Sequence, residues 1–187
     1  MGIILKISQK IFNYRIKHCS LEKRLELMRN KFFFCGNNIK LYTHYFGTEP
    51  YLISIHDNVT CAADVKFINH DVSVWNVSRF LGKPHISLDK VGAIELYENS
   101  FVGAFSILMP NTSIGRNSIL AAGSVLTKHI PAGEVWGGIP AKFIMTMDEY
   151  SRKVLETSNA YPWTQTPGVS EGELIIQKQK YFFSHSE

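Results

Sequence analysis

The sequence predicts an all-β solenoid flanked by helical ends. Three observations predict it: a six-residue aliphatic period, small residues locked to that period, and turn-forming residues midway between the aliphatics. Leu96, Val102, Leu108, Ile114, Leu120 and Leu126 are all aliphatic, and four positions after the first five stand Ser100, Ser106, Thr112, Ser118 and Ser124. On an α-helix a step of six residues turns a side chain through about 600°, which scatters the aliphatics in three directions and leaves no apolar face. On a strand the even step puts them all on one side, yet one large apolar residue in six is too thin for a flat sheet face. The backbone must bend within each repeat. Asn99, Asn111, Asn117 and Gly123, each third after an aliphatic, tolerate positive φ and supply the bends. Each hexad is then a short strand and a corner, and coiled hexads gather the aliphatics on the axis. The register continues upstream through Ile55, Cys61 and Phe67, with Asn58 and Asp64 at corners and His70 expected at the next.

Phe67 to Leu96 spans 29 residues, which is not a multiple of six, so something interrupts the coil. The stretch DVSVWNVSRFLGKPHISLDKVGA after His70 has no hexad register and contains Gly82 and Pro84. It is expected to be an excursion over 72–95 that leaves the wall and rejoins it near Ile94. The solenoid domain is placed at 35–144. Residues 1–34, with Ile11, Phe12, Ile16, Leu21, Leu25 and Met28 at roughly helical spacing, form a basic amphipathic helical segment. Residues 145–187 form a helix and tail: DEYSRKVLETSNAYPWTQTPG is a short helix and loop, and EGELIIQKQKYFF a last helix or strand.

Composition bounds the function. The 187 residues are 45% hydrophobic and 19% charged, which suits one folded domain and not a disordered chain. No apolar run approaches the ~20 residues that cross a bilayer, and Lys6 and Lys10 break the N-terminal apolar stretch before a secretory signal is complete, so a cytoplasmic protein is expected. Cys19, Cys35 and Cys61 show no CxxC spacing, which speaks against a disulfide framework or a cysteine zinc site. The net charge of +4 is uneven, because residues 1–40 carry +7 and the remainder −3. Two readings fit the cationic segment: attraction to an anionic surface such as the inner face of the membrane, or a solvated helix face packed on the main domain. No nucleic-acid module is indicated.

The hexads, together with LAAGSVLTKHIPAGEVWGGIPAKFI at 120–144 and FINHD at 67–71, resemble the hexapeptide-repeat acyltransferases, most of all the O-acetyltransferases of bacterial surface polysaccharides. The resemblance covers about residues 35–144 and implies a left-handed parallel β-helix, a homotrimer, acetyl-CoA as co-substrate, no metal, and a saccharide acceptor. Departures from the family pattern are Tyr97 and Ala121 where glycine is usual, His129 where aspartate is common and Ile139 where asparagine is common.

Moving an acetyl group from a thioester to a hydroxyl needs a base, donors for the tetrahedral oxyanion, and a groove that aligns both substrates. His70 is the candidate base, since imidazole suits proton transfer near neutrality and FINHD matches the family's catalytic segment. Asp71 is a candidate to orient the ring, with Asp57 or a neighbouring subunit's carboxylate as rivals. By the resemblance, Ala104 and Ala122 face the pantetheine arm of acetyl-CoA and nearby backbone amides are the donors. Thr127, Lys128 and Lys142 meet its phosphates, and Trp136 stacks on the adenine or caps the last coil. The excursion offers Trp75, Asn76, Arg79 and His85 to the acceptor, with Trp75 packing on the coil as the alternative. Other acceptors, such as serine, an antibiotic or a nucleotide-linked amino sugar, fit the same chemistry. A γ-type carbonic anhydrase shares the fold but needs three converging histidines, whereas His44, His56, His70 and His85 stand 12, 14 and 15 apart. A non-enzymatic solenoid would need neither His70 nor the GGIPAK segment.

Overall fold

The computed structural model describes residues 2–83, 87–164 and 168–183, with side chains from Lys10 onward. The chain divides into two units, Met1–Met147 and Asp148–Glu187. In the first, short strands form three sheets. One holds β1 (Phe34–Cys35), β3 (Ile53–Ile55), β6 (Ile94–Leu96) and β9 (Thr112–Ile114). The second holds β2 (Lys40–Leu41), β4 (Thr60–Cys61), β7 (Phe101–Val102), β10 (Ile119–Leu120), β12 (Glu134–Gly138) and β13 (Ala141–Thr146), and the third β5 (Lys66–Phe67), β8 (Ile107–Leu108) and β11 (Val125–Leu126). From β3 to β11 successive strands visit the three sheets in rotation with parallel pairing, so the chain winds as a three-sided coil.

Register explains the hexads. In the later coils paired residues lie eighteen apart, three hexads to a turn: Ile94 with Thr112, Phe101 with Ile119, Ile107 with Val125. Leu96, Val102, Leu108, Ile114, Leu120 and Leu126 are then stacked on the axis, all at 0% exposure, with Ile55, Cys61 and Phe67 below them. Burial pushes the Cys61 thiol up to about 12, as befits a small apolar core residue. The corners are left-handed as their residue types allow: Asn58, Asp64, Asn99, Asn111 and Asn117 sit at φ between 53° and 60°, and Gly123 at 68°. Corner amides also bond from coil to coil, Asn38 Nδ2 donating to Asn58 Oδ1 at 2.8 Å and Asn99 Nδ2 to Asn117 Oδ1 at 3.0 Å. The small residues between corners and strands are buried, and several of their hydroxyls replace missing backbone bonds, Ser118 Oγ donating to Pro131 O at 2.7 Å and Ser124 Oγ accepting from Gly138 N at 3.0 Å, while Ser100 Oγ is buried without a partner among the described residues.

The repeat fails where the chain leaves the wall. Ser54 pairs with Glu95, an offset of 41 instead of eighteen. His70 is accordingly not a left-handed corner; it forms an antiparallel bridge with Val91, and Asp71 N donates to Lys90 O while Gly92 N donates to Asn69 O. These bonds make a neck from which the insertion projects. It carries a helix, α3 (Val74–Phe80), that the missing hexad register did not announce, and β6 re-enters the coil at Ile94, short of the expected limit of 95.

At the N-terminal end, α1 (Gly2–His18) and α2 (Leu21–Arg29) pack Ile16 and Met28 into the core that Phe32, Phe46 and Phe67 continue. Arg24, one of the cations of the basic segment, is buried: Nε donates to Ile16 O at 2.9 Å and Nη1 to Leu41 O at 2.8 Å, closing the open carbonyls at the end of α1 onto β2. At the other end β12 and β13 form an antiparallel hairpin over the last coil. The second unit contains most of α4 (Met147–Asn159), and α5 (Glu171–Phe183), which settles the strand-or-helix alternative for that stretch as helix. There Tyr161, Trp163, Tyr181 and Phe182 pack ring on ring. Among the described residues no helix is long and apolar enough to cross a membrane.

Candidate active site

Asn69 builds the site. An even step from Phe67 directs its side chain inward, where it is fully buried, and a buried amide must find partners. Its Nδ2 donates to Glu49 O at 2.6 Å and to Phe46 O at 3.4 Å, and its Oδ1 accepts from Glu49 N at 3.3 Å. Segment 46–49 is thereby fastened against the neck. Gly47 makes this possible, since it sits at φ 69° and any Cβ there would collide with the Asn69 amide.

Pinned in this way, Glu49 places Oε1 3.1 Å from His70 Nδ1. On the other ring nitrogen, Nε2, Asp89 Oδ1 lies 3.4 Å away. The two carboxylates differ: the Glu49 side chain is 19% exposed and held through its own backbone, while Asp89 is 64% exposed on the returning segment of the insertion. Tyr51 completes the cluster. Partial desolvation, and then the charge of Glu49, hold its phenol above the usual range.

Asp71 is engaged elsewhere. Its Oδ1 accepts from Ser73 N at 3.0 Å and its Oδ2 from Lys90 Nζ at 2.7 Å, an ion pair that closes the neck and, with Ser73, holds the carboxyl down to about 2. The carboxylate on Nδ1 is Glu49. Asp57 is also occupied, accepting from Asn37 N at 2.7 Å. On α3, Val74 and Ser78 face inward and Trp75, Asn76 and Arg79 point to solvent; Trp75 is 65% exposed, so it does not pack on the coil. His85 lies outside the described residues.

The residues expected at the donor lie on and beyond the corner between the second and third sheets. Ala122 is exposed and Ala104 partly so, and Ala104 O accepts from Gly123 N at 2.8 Å. The close stacking here leaves no room for a side chain at Gly103, whose added Cβ would collide with Ala122 N. Thr127, Lys128 and Lys142 are exposed, Lys142 on β13 opposite Gly137. Trp136 packs against the core and donates from Nε1 to Glu134 Oε2 at 2.6 Å, so its ring is committed to the hairpin. His129 Nδ1 lies 3.0 Å from Ser113 Oγ. Among the described residues no hydrogen bond or ion pair joins these donor-side groups to His70, and no set of three His, Cys, Asp or Glu side chains converges as metal ligands.

Glu49, Asn69, Tyr51 and Asp89 are the site residues that sequence reasoning missed. Asn69 did carry a signal: it is the polar residue standing at an inward register position, directly before His70.

Comparison with known proteins agrees with the three-sided coil. Residues 98–128 match the model of the bacterial transferase hexapeptide (six repeats). Protein CapG of Staphylococcus aureus is 40% identical over 114 residues, covering 61% of this chain and 64% of that protein, so the match spans less than two thirds of the relative. Galactoside O-acetyltransferase of Escherichia coli (strain K12) is 25% identical over 167 residues, 77% of this chain and 80% of the relative. A solved galactoside acetyltransferase in complex with coenzyme A superposes with a TM-score of 0.53 at 19% identity, over 78% of this chain and 82% of that one, which shows a common fold. With hexads matched in sequence and the three-sided coil they build, the chain is similar to the hexapeptide-repeat transferases in repeat and in fold.

Proposed function

We propose that this protein is an acetyl-CoA-dependent O-acetyltransferase that acts on a sugar hydroxyl of a bacterial surface polysaccharide or its precursor, by direct transfer with His70 as general base. The observation that carries the proposal is His70 held at the neck of the insertion by its bridge to Val91, with Glu49 at Nδ1. Support for the donor and the sugar comes from the relatives, a galactoside O-acetyltransferase and a galactoside acetyltransferase that holds coenzyme A. The family resemblance points further to a left-handed coil and a homotrimer, to sites between neighbouring solenoids, and to the cytoplasm at the inner membrane face.

The geometry divides the labour on the ring. With Nδ1–H donating to Glu49, Nε2 keeps its lone pair for the acceptor hydroxyl. Asp89, solvated and at 3.4 Å, stands where that hydroxyl belongs and gives way to it. As the hydroxyl oxygen bonds to the thioester carbonyl carbon, Nε2 takes its proton, and backbone amides near Ala104 and Ala122 receive the oxyanion. Collapse breaks the carbon–sulfur bond, and the imidazolium returns the proton to the leaving thiolate. Glu49 stabilises the imidazolium between these steps. Trp75, Asn76 and Arg79 on α3 offer a ring face and hydrogen bonds to a pyranose, and Lys128 and Lys142 offer charge to the donor's phosphates.

The test is an acceptor screen. Purified protein and acetyl-CoA are incubated with oligosaccharides, amino sugars, serine and chloramphenicol, and products are read by mass spectrometry. Esters on a glycan are expected; acetylation of an amine or of serine in preference to every glycan would defeat the proposal.

A further inference from the structure

Seven corners of the coil, from Asn58 to Gly123, have positive φ; six are Asn, Asp or Gly, and the seventh is Phe105 at 61°. An aromatic side chain in the left-handed region carries a steric cost that the other three types avoid. Burial does not offset it, because the side chain is 68% exposed. The backbone here is an ordinary corner, with Phe105 N donating to Ala63 O at 3.0 Å, so an asparagine would serve the fold as well. The pairing of β5, β8 and β11 stacks Asp64, Phe105 and Gly123 in one column. Next to them stand the small residues Ala63, Ala104 and Ala122, and a Cβ added at Gly123 would meet nothing within 4 Å, so the wall beside the exposed Phe105 is low.

We infer that Phe105 is a donor-binding residue, its ring packing on the pantetheine arm of the acyl-CoA as the arm passes Ala104 and Ala122. The inference rests on the donor corner proposed above. The chemistry suits it: the arm is a chain of planar amides and methyl groups, which lie well on an aromatic face, and an Asn, Asp or Gly corner offers no such face.

Three measurements on Phe105→Asn and Phe105→Gly test it: melting temperature, calorimetric Kd for coenzyme A, and KM and kcat for acetyl-CoA. Relief of the strained corner should raise the melting temperature by about 2–4 °C. Loss of the ring should at the same time raise Kd and KM by about 10-fold with kcat nearly unchanged. Phe105→Tyr, which keeps the ring, should bind coenzyme A as wild type does. An unchanged Kd in both Phe105→Asn and Phe105→Gly overturns the inference, whichever way their stability moves. Ala122→Leu, which adds bulk to the exposed wall, separates the two levels of failure. If it weakens coenzyme A binding while Phe105→Asn does not, only the role of Phe105 falls. If neither variant affects binding, the donor corner falls with it.

Discussion

The coil from Ile94 to Leu126 and the neck from Asn69 to Gly92 use the same backbone in opposite ways. In the coil most positions have a counterpart eighteen residues on that does the same work: Leu96 and Ile114 fill the axis, and Asn99 and Asn117 turn the corner. At the neck nothing repeats. Asn69 occupies an inward place that aliphatics hold elsewhere, His70 bridges antiparallel to Val91, and Glu49 comes from a segment that precedes its own coil. Stability is spread over equivalent positions, while the cluster of His70, Glu49 and Asp89 gathers where equivalence is broken.

That contrast predicts which variants cost activity and which cost stability. His70→Ala should lower acetyl transfer by about 100-fold or more and leave the melting temperature within error, because general-base catalysis contributes about 10²–10⁴-fold and a partly exposed ring leaves no cavity. Single-turnover acetyl transfer and a thermal melt on the same preparation read both. Near-wild-type turnover would move the base elsewhere. Leu120→Ala should do the reverse. Removing a fully buried axial side chain costs about 2–5 kcal/mol of unfolding free energy, measured by urea titration, while the folded fraction retains its turnover.

The same contrast explains how much was legible in the sequence. The coil could be read because repetition multiplies a weak signal: one Asn before a serine means little, whereas Asn99, Asn111 and Asn117 at a fixed step specify corners. Phe105 occupies a corner too but does not look like one, since its residue type argues against positive φ. The segment around His70 proposes it as the base, with Asp71, Asp57 or a neighbouring subunit's carboxylate as its partner, whereas the carboxylate at Nδ1 within the chain is Glu49, 21 positions upstream. Adjacency is a poor guide here. Along the neck neighbouring side chains point to opposite sides, so Asp71 turns to Lys90 while His70 turns to Glu49. The helix α3 went unnoticed because only seven residues form it, with three of them apolar and exposed.

Glu49 and Asp89 both touch the ring, and a pair of variants sharpens the difference between a fastened carboxylate and a solvated one. Glu49→Gln should reduce kcat about 10-fold at unchanged acceptor KM, since a partner that orients a functional histidine commonly carries about 10–100-fold. Asp89→Asn should change kcat less than about 2-fold, as an exposed pair contributes little. Equal losses in the two variants would remove the distinction between them.

The smallest effect is expected at the neck itself, and its sign follows from Asp71. Lys90 and then Ser73 hold the Asp71 carboxyl down to about 2 in the folded protein, below the ~3.9 of an unfolded chain. A group whose pKa is depressed by folding stabilises fully above its unfolded value and loses that contribution as the pH falls through its folded value. The contribution should therefore be complete at neutral pH, decline below about pH 4 and vanish near pH 2. Its size is modest, because the Lys90 partner is solvated at 58% exposure and salt screens the pair. Asp71→Asn should melt slightly below wild type at neutral pH, and the two curves should converge on acidification, with added salt narrowing the neutral-pH gap. A gap that persists unchanged to about pH 2 would mean that Asp71 contributes through the hydrogen bond from Ser73, which Asn also accepts less well, and that the ion pair to Lys90 does not hold the neck.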